Sequence, residues 1–112
     1  MKGIIWCARD SAKENWDKAT EILTKIVEDY IRKGHFCIKD KQLSSERVVT
    51  FDNGDQWKIL YASEYQRGQK CNISYIQRSI SKDLINNVIK PCTLDIPYSA
   101  YHYYGPFLDK KE

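Results

Sequence analysis

Apolar and polar positions along the chain change period several times, and each change marks an element. Ile4 to Ala8 is an unbroken apolar run with β-branched and aromatic residues, bounded by Lys2 and Arg9. That pattern predicts a buried strand over 2–8. Ser11 with Glu14 three residues on forms a capping box. Beyond it Ala12, Trp16, Ala19, Leu23, Ile26 and Tyr30 recur at helical spacing, joined by Ile22, Val27 and Ile31. A helix over 12–33 follows, closed by Arg32, Lys33 and a C′ Gly34.

The next stretch is β-rich. Phe36 to Lys39 reads as a short strand and Asp40 to Glu46 as a polar loop. Arg47–Phe51 and Gln56–Ala62 flank Asp52-Asn53-Gly54-Asp55, whose Asn-Gly step predicts a hairpin turn. Ser63 to Lys70 is polar, and Cys71 to Gln77 returns to a strand pattern. Ser81 caps a short helix over 82–89 that buries Leu84, Ile85, Val88 and Ile89, with Ile80 placed to pack on Ile85 and Pro91 placed to end it. The remainder is Pro- and Tyr-rich and reads as irregular. The order β-α-(β)-β-β-β-α predicts an α/β fold, a small mixed sheet of about four to five strands with one long and one short helix. The strand–helix–strand start favours a right-handed crossover and parallel neighbours for the first strand. Residues 1–95 form the expected domain, and 96–112 a Tyr-rich tail packing on that domain or on a partner.

Composition adds limits. A chain of 112 residues is one domain by length, and it can bury about two-thirds of its unfolded surface. Lys and Arg exceed Asp and Glu by 18 to 15, and the pI is about 8.6. The bases are spread along the chain, which neither demands nor excludes nucleic acid. No run approaches the length of a membrane span, and the apolar stretch at the start is too short for a signal-peptide core. Cys7, Cys37, Cys71 and Cys92 make no C-x-x-C pair. Zinc is therefore not expected, and the cysteines read as reduced, mostly buried small hydrophobes. The helix acids Glu14, Asp17, Glu21, Glu28 and Asp29 alternate with Lys13, Lys18, Lys25 and Arg32 as a solvated face. His35 and His102 have no partner carboxylate at a catalytic spacing in the sequence.

Two segments carry a resemblance. GIIWCARDSAKENWDKATEIL resembles the strand and amphipathic helix that follow the first helix of the P-loop ATPase core in phage large terminases and helicase-like motors. VVTFDNGDQWKILYASEYQRGQKCNISYIQ resembles their hairpin with an Asn-Gly turn (Asn53, Gly54), a polar segment with Arg-Gly (Arg67, Gly68) and the strand leading to the Walker B acids. The family pattern places Asp-Glu at the end of that strand to hold magnesium and polarise water. Gln77 and Arg78 stand there instead, and no G-x-x-x-x-G-K-[ST] occurs in the sequence. The resemblance therefore implies a degenerate motor core, its fold retained without the chemistry.

Candidate sites are accordingly binding sites. Arg67, Gly68 and Lys70, with Arg78 and Lys82 behind them, suit a phosphate or an acidic partner, or are ordinary surface charge. Tyr98, Tyr101, Tyr103, Tyr104 and Phe107 suit a protein interface or base stacking, or fold back on the sheet. Arg9, Asp10 and Ser11, and the turn at Ser79 and Ser81, are lesser candidates. No cofactor or metal is expected, and no enzymatic activity. The expected function is binding of a macromolecular partner by a phage or mobile-element protein. A protein partner comes first, inhibition of a host or defence factor being one use of it, and the alternative is a nucleic-acid-binding remnant of a packaging or helicase-type ATPase. Homo-oligomerisation through the tail, completion of a split ATPase with a second chain, and Cys or His chemistry not visible in the spacing stay open. The expected compartment is the cytoplasm, a host's if the protein is phage-encoded.

Overall fold

The computed structural model describes residues 1–10, 12–93 and 100–105. In chain order the strands are β1 (Lys2–Cys7), β2 (Cys37–Leu43), β3 (Glu46–Phe51), β4 (Gln56–Tyr61), β5 (Ile73–Gln77) and β6 (Ala100–Tyr104). A long helix, α1 (Ala12–Arg32), joins β1 to β2, and a second helical segment covers residues 82–92. The sheet order is β2-β3-β4-β1-β5-β6. β4, β1, β5 and β6 run parallel, while the β2–β3–β4 meander is antiparallel. The protein is thus a small α/β domain on a mixed sheet, with one strand more than the four to five expected.

β1 is central, between two parallel neighbours, and so is buried on both faces from Gly3 to Cys7. Its alternate residues feed two cores. Ile4, Trp6 and Ala8 pack with Leu60, Ile76, Val88 and Ile89 under the second helical segment. Ile5 and Cys7 pack with Ala19, Leu23, Phe51 and Ile59 under α1. Each large side chain so buried contributes roughly 1.5–3 kcal/mol of transfer free energy. α1 ends as its sequence predicts, in a Schellman motif: His35 N–H donates to the Tyr30 carbonyl (2.9 Å) and Gly34 N–H to that of Ile31 (3.0 Å). The apolar stripe differs in two places. Ile31 is exposed, and polar Asn15 is buried in its stead. The capping residue Ser11 lies outside the described residues.

Three expectations change. β2 runs to Leu43, so residues 40–43 are strand and not loop. The strand lies at the sheet edge with every residue exposed, which leaves no alternation to read. Its partner β3 and the two-pronged pair of Arg47 Nε and Nη2 with Asp40 (3.1 and 2.8 Å) hold it. Pro91 does not end the second helical segment, which continues to Cys92. The turn before it opens into a π-helix (Ile85–Ile89), with Lys90 N–H donating to the Ile85 carbonyl. The Asn87 carbonyl, four residues before Pro91 and so denied its α-helical donor, accepts from Arg67 Nη1 instead (3.1 Å). Finally, part of the stretch read as irregular is a strand: Ala100–Tyr104 pairs with β5 in unbroken parallel register, Ile73 opposite Ala100 through Gln77 opposite Tyr104.

Candidate functional site

Two places bring sequence candidates together. The first is the corner where β1 and β5 end. Ala8 N–H donates to Gln77 Oε1 (2.8 Å), and Gln77 Nε2 donates to Asn15 Oδ1 (2.7 Å). Asn15 Nδ2 donates in turn to the carbonyls of Ala8 (2.9 Å) and Asp10. Gln77 and Asn15 are 2% and 6% exposed. The amide of Gln77 is thus spent on tying the end of β1 to the first turn of α1. Arg78 follows, its guanidinium Nη1 donating to the Gly105 carbonyl (2.7 Å). Arg9 lies over the Tyr61 ring, 5.1 Å from its centroid.

The second place is a groove of about 260 Å³ between β6 and the second helical segment. Its wall carries Arg78, Lys82, Lys90 and Tyr103, and Ile80 and Ile85 give it an apolar floor. Ser81 aims this segment by capping it, its Oγ accepting from Leu84 N–H (3.3 Å). Lys90 Nζ sits 5.8 Å from the centroid of Tyr101. Tyr101 and Tyr103 are 41% and 44% exposed. The parallel pairing of β5 with β6 therefore joins Arg78 and Lys82 to Tyr101 and Tyr103, two groups far apart in the sequence. Lys90 joins them, and no sequence signal had singled it out.

The other candidates divide. Tyr104 points to the opposite face, where its hydroxyl donates to the Trp6 carbonyl (2.8 Å) and burial pushes its phenol well above the ordinary range. Arg67 pairs with Glu64 (2.7 Å) and braces the Asn87 carbonyl. Gly68 has φ +95°, a conformation that suits glycine, and Lys70 is exposed. Tyr98 and Phe107 lie outside the described residues. His35 does meet a carboxylate: its Nδ1 is 3.1 Å from Asp52 Oδ1, brought there by the end of the β3–β4 hairpin. Asp52 also accepts from Phe36 N–H (3.3 Å), which makes it a brace for that turn.

Beneath the C-terminal half of α1 lies a hollow of about 490 Å³, lined by Ile22, Ile26, Tyr30, Trp57, Ile73 and Tyr75. Two of its polar groups, those of Trp57 and Tyr30, are tied together. Trp57 Nε1 donates to Tyr30 Oη (3.3 Å), and Tyr30 donates to Asp55 Oδ2 (2.6 Å). Burial first, and then the Asp55 bond, push the Tyr30 phenol up to about 12. For Asp55, burial acts upward, but the bonds from Tyr30 and the N-terminal ammonium (3.0 Å) outweigh it and hold the carboxyl below its ordinary range.

Among the cysteines, Cys7, Cys71 and Cys92 are buried and Cys37 is exposed. Burial drives Cys7 up to about 12 and also raises Cys71 and Cys92. A thiol reagent at neutral pH is expected to label Cys37 promptly in the folded protein, and the other three after unfolding. Prompt labelling of a second thiol in the native protein would contradict this burial. Among the described residues no helix is long and apolar enough to cross a membrane.

No protein-family model matches the chain, and no curated protein does. Among solved structures the fold is similar to the large terminase of a thermophilic bacteriophage. In one crystal form the TM-score is 0.51 at 11% identity, over 94% of this chain and 26% of the terminase. In its complex with ATP-γ-S the TM-score is 0.51 at 14% identity, over 94% and 24%. The likeness is one of fold, and this chain spans about a quarter of the terminase chain.

Proposed function

We propose that this chain uses a motor-ATPase fold to bind a protein partner and does not itself turn over nucleotide. The observation that carries the reading is Gln77. Where the resemblance places a carboxylate on magnesium, this chain has a neutral amide whose oxygen and nitrogen are both engaged inside the protein. A group that holds a metal there needs an oxygen open to it, and the Gln77 oxygen already accepts from Ala8 N–H. Arg78 next to it adds positive charge, which opposes a bound cation. What the corner gives up in chemistry, the groove beside β6 offers in recognition, with exposed tyrosines over an apolar floor and cations at its rim.

A second reading, nucleic-acid binding, is favoured by a different surface. Lys39, Lys41 and Lys58 share an open sheet face across β2 and β4, with Val48 and Thr50 of β3 between them. The lysines there suit phosphates.

The test is nucleotide binding with magnesium. Calorimetry with Mg²⁺-ATP is expected to show no binding tighter than about 1 mM, the upper end of ordinary KM values, and phosphate release should stay at the buffer rate. Micromolar binding or turnover by this chain would sink the proposal.

A further inference from the structure

We infer that the hollow beneath α1 is a binding site for a small aromatic carboxylate. The inference goes beyond the partner-binding reading and uses a different part of the molecule.

One glycine shapes the hollow. A Cβ at Gly3 would lie 2.4 Å from the Trp57 ring, so a glycine there lets the indole lie over the start of β1. Tyr75 of β5 stands beside it, with ring centroids 5.8 Å apart and planes at 58°. α1 supplies the facing wall with Ile22 and Ile26. The enclosed volume, about 490 Å³, falls inside the range of small-molecule sites, roughly 300–1,000 Å³.

The walls set the body of the ligand. The Trp57 N–H is spent on Tyr30, and the Tyr30 hydroxyl on Asp55. What remains on offer is ring surface and branched aliphatic groups. A flat aromatic body fits such walls, since it can meet the two tilted rings edge-to-face or offset.

Charge sets the head group. Asp29 is held by Lys33 (3.0 Å) and Arg32 (4.0 Å), and the N-terminal ammonium by Asp55 (3.0 Å). Lys25 also lines the hollow, and it makes no ion pair among the described residues. The Tyr75 hydroxyl makes no hydrogen bond among them. An uncommitted ammonium and an uncommitted hydroxyl suit a carboxylate, which accepts from such donors and gains charge-assisted strength from the first. A cationic head group would meet Lys25 while both nearby carboxylates are already engaged.

The experiment titrates the full chain by calorimetry with three probes of one shape: naphthalene-2-carboxylate, the neutral naphthalene-2-carboxamide and the cationic 2-naphthylmethylammonium. The carboxylate is expected to bind one to one with a dissociation constant of roughly 0.1–1 mM, the scale for a ligand of about a dozen heavy atoms. The amide should bind about fivefold more weakly, and the ammonium more weakly still. Lys25→Gln should bring the carboxylate to the affinity of the amide and leave the amide unchanged. Lys18→Gln removes the same charge from an exposed position of the same helix outside the hollow, and should change neither. Ile26→Trp puts a larger ring into the hollow and should weaken the carboxylate at least about tenfold, with circular dichroism matching the parent. If that variant does not fold, the two lysine variants still decide. Equal affinity for carboxylate and amide, tighter binding of the ammonium, or no heat from any probe at millimolar concentration would overturn the inference. So would binding that survives Ile26→Trp in a folded protein. Equal losses in Lys18→Gln and Lys25→Gln would overturn it too, because they would report net charge and not the hollow.

Discussion

Gln77→Glu is expected to lower the thermal midpoint by roughly 10–15 °C at neutral pH, from a loss of about 3 kcal/mol. The substitution changes one nitrogen to oxygen and almost no volume, so the effect isolates the polar network. The Ala8 N–H keeps its acceptor, but Asn15 Oδ1 loses the donor that stood 2.7 Å away and faces a carboxylate oxygen in a site only 2% exposed. The sign with pH follows. Burial and the facing oxygen raise the pKa of this glutamate in the folded state, and its protonated form can donate to Asn15 as the amide did. A raised carboxyl contributes stability below the unfolded value near 4.3, and that stability is lost as pH rises through the folded value. The gap between variant and parent should be small near pH 4 and full near pH 7.5, measured by thermal unfolding of both proteins at each pH. An equal gap at both pH values would mean that the network is not what the substitution breaks.

Gly3→Ala should cost about 2–3 kcal/mol, within the range for overpacked cores. A Cβ at Gly3 would lie 2.4 to 2.6 Å from three ring carbons of Trp57, closer than carbon atoms can sit. The ring cannot simply swing aside. Its Nε1 is held by Tyr30, which is bonded to Asp55 and stacked on Phe51 at 3.9 Å. Adding Trp57→Leu removes the obstruction, so the double variant should lose much less than the sum of the two single losses. Urea denaturation of the four proteins supplies the cycle. A loss under about 0.5 kcal/mol for Gly3→Ala, the scale of an ordinary surface change, would show that the Trp57–Tyr30–Asp55 linkage yields easily.

How much of this was legible in the sequence depends on whether an element buries a face. β1, α1 and the β3–β4 hairpin could be read because their apolar periods are imposed by the cores they fill, and because Gly34 and Asn53-Gly54 punctuate them. β2 could be read only over its first residues and β6 not at all, since each lies at a sheet edge where the pattern is set by solvent or by tyrosines that tolerate either side. Pro91 misled for a local reason: the expected break is relieved by a π-turn and by Arg67, a residue in a different loop. The sequence named Arg78 and Lys82 in one group and Tyr101 and Tyr103 in another. Only strand pairing across the intervening residues makes them one groove, and no local pattern encodes such pairing. Asn15 was not singled out in the sequence. Its burial is set by where Gln77 ends up, which is tertiary information.

The position of β1 has a consequence for how the chain reaches this fold. It is first in sequence and central in the sheet, pairing Lys2 with Gln56 and Gly3 with Ile73. Its partners are therefore made roughly fifty and seventy residues later, a delay of several seconds at about 5–20 residues per second of synthesis. During that interval Ile4 to Cys7 form an apolar strand with both hydrogen-bonding edges open, the state most prone to mispairing. The one neighbour available early is α1, which can lie over Ile5 and Cys7 by local contact. Docking of α1 on β1 is thus the natural first step, and closure of the parallel pairs, with their long loops, the slow one.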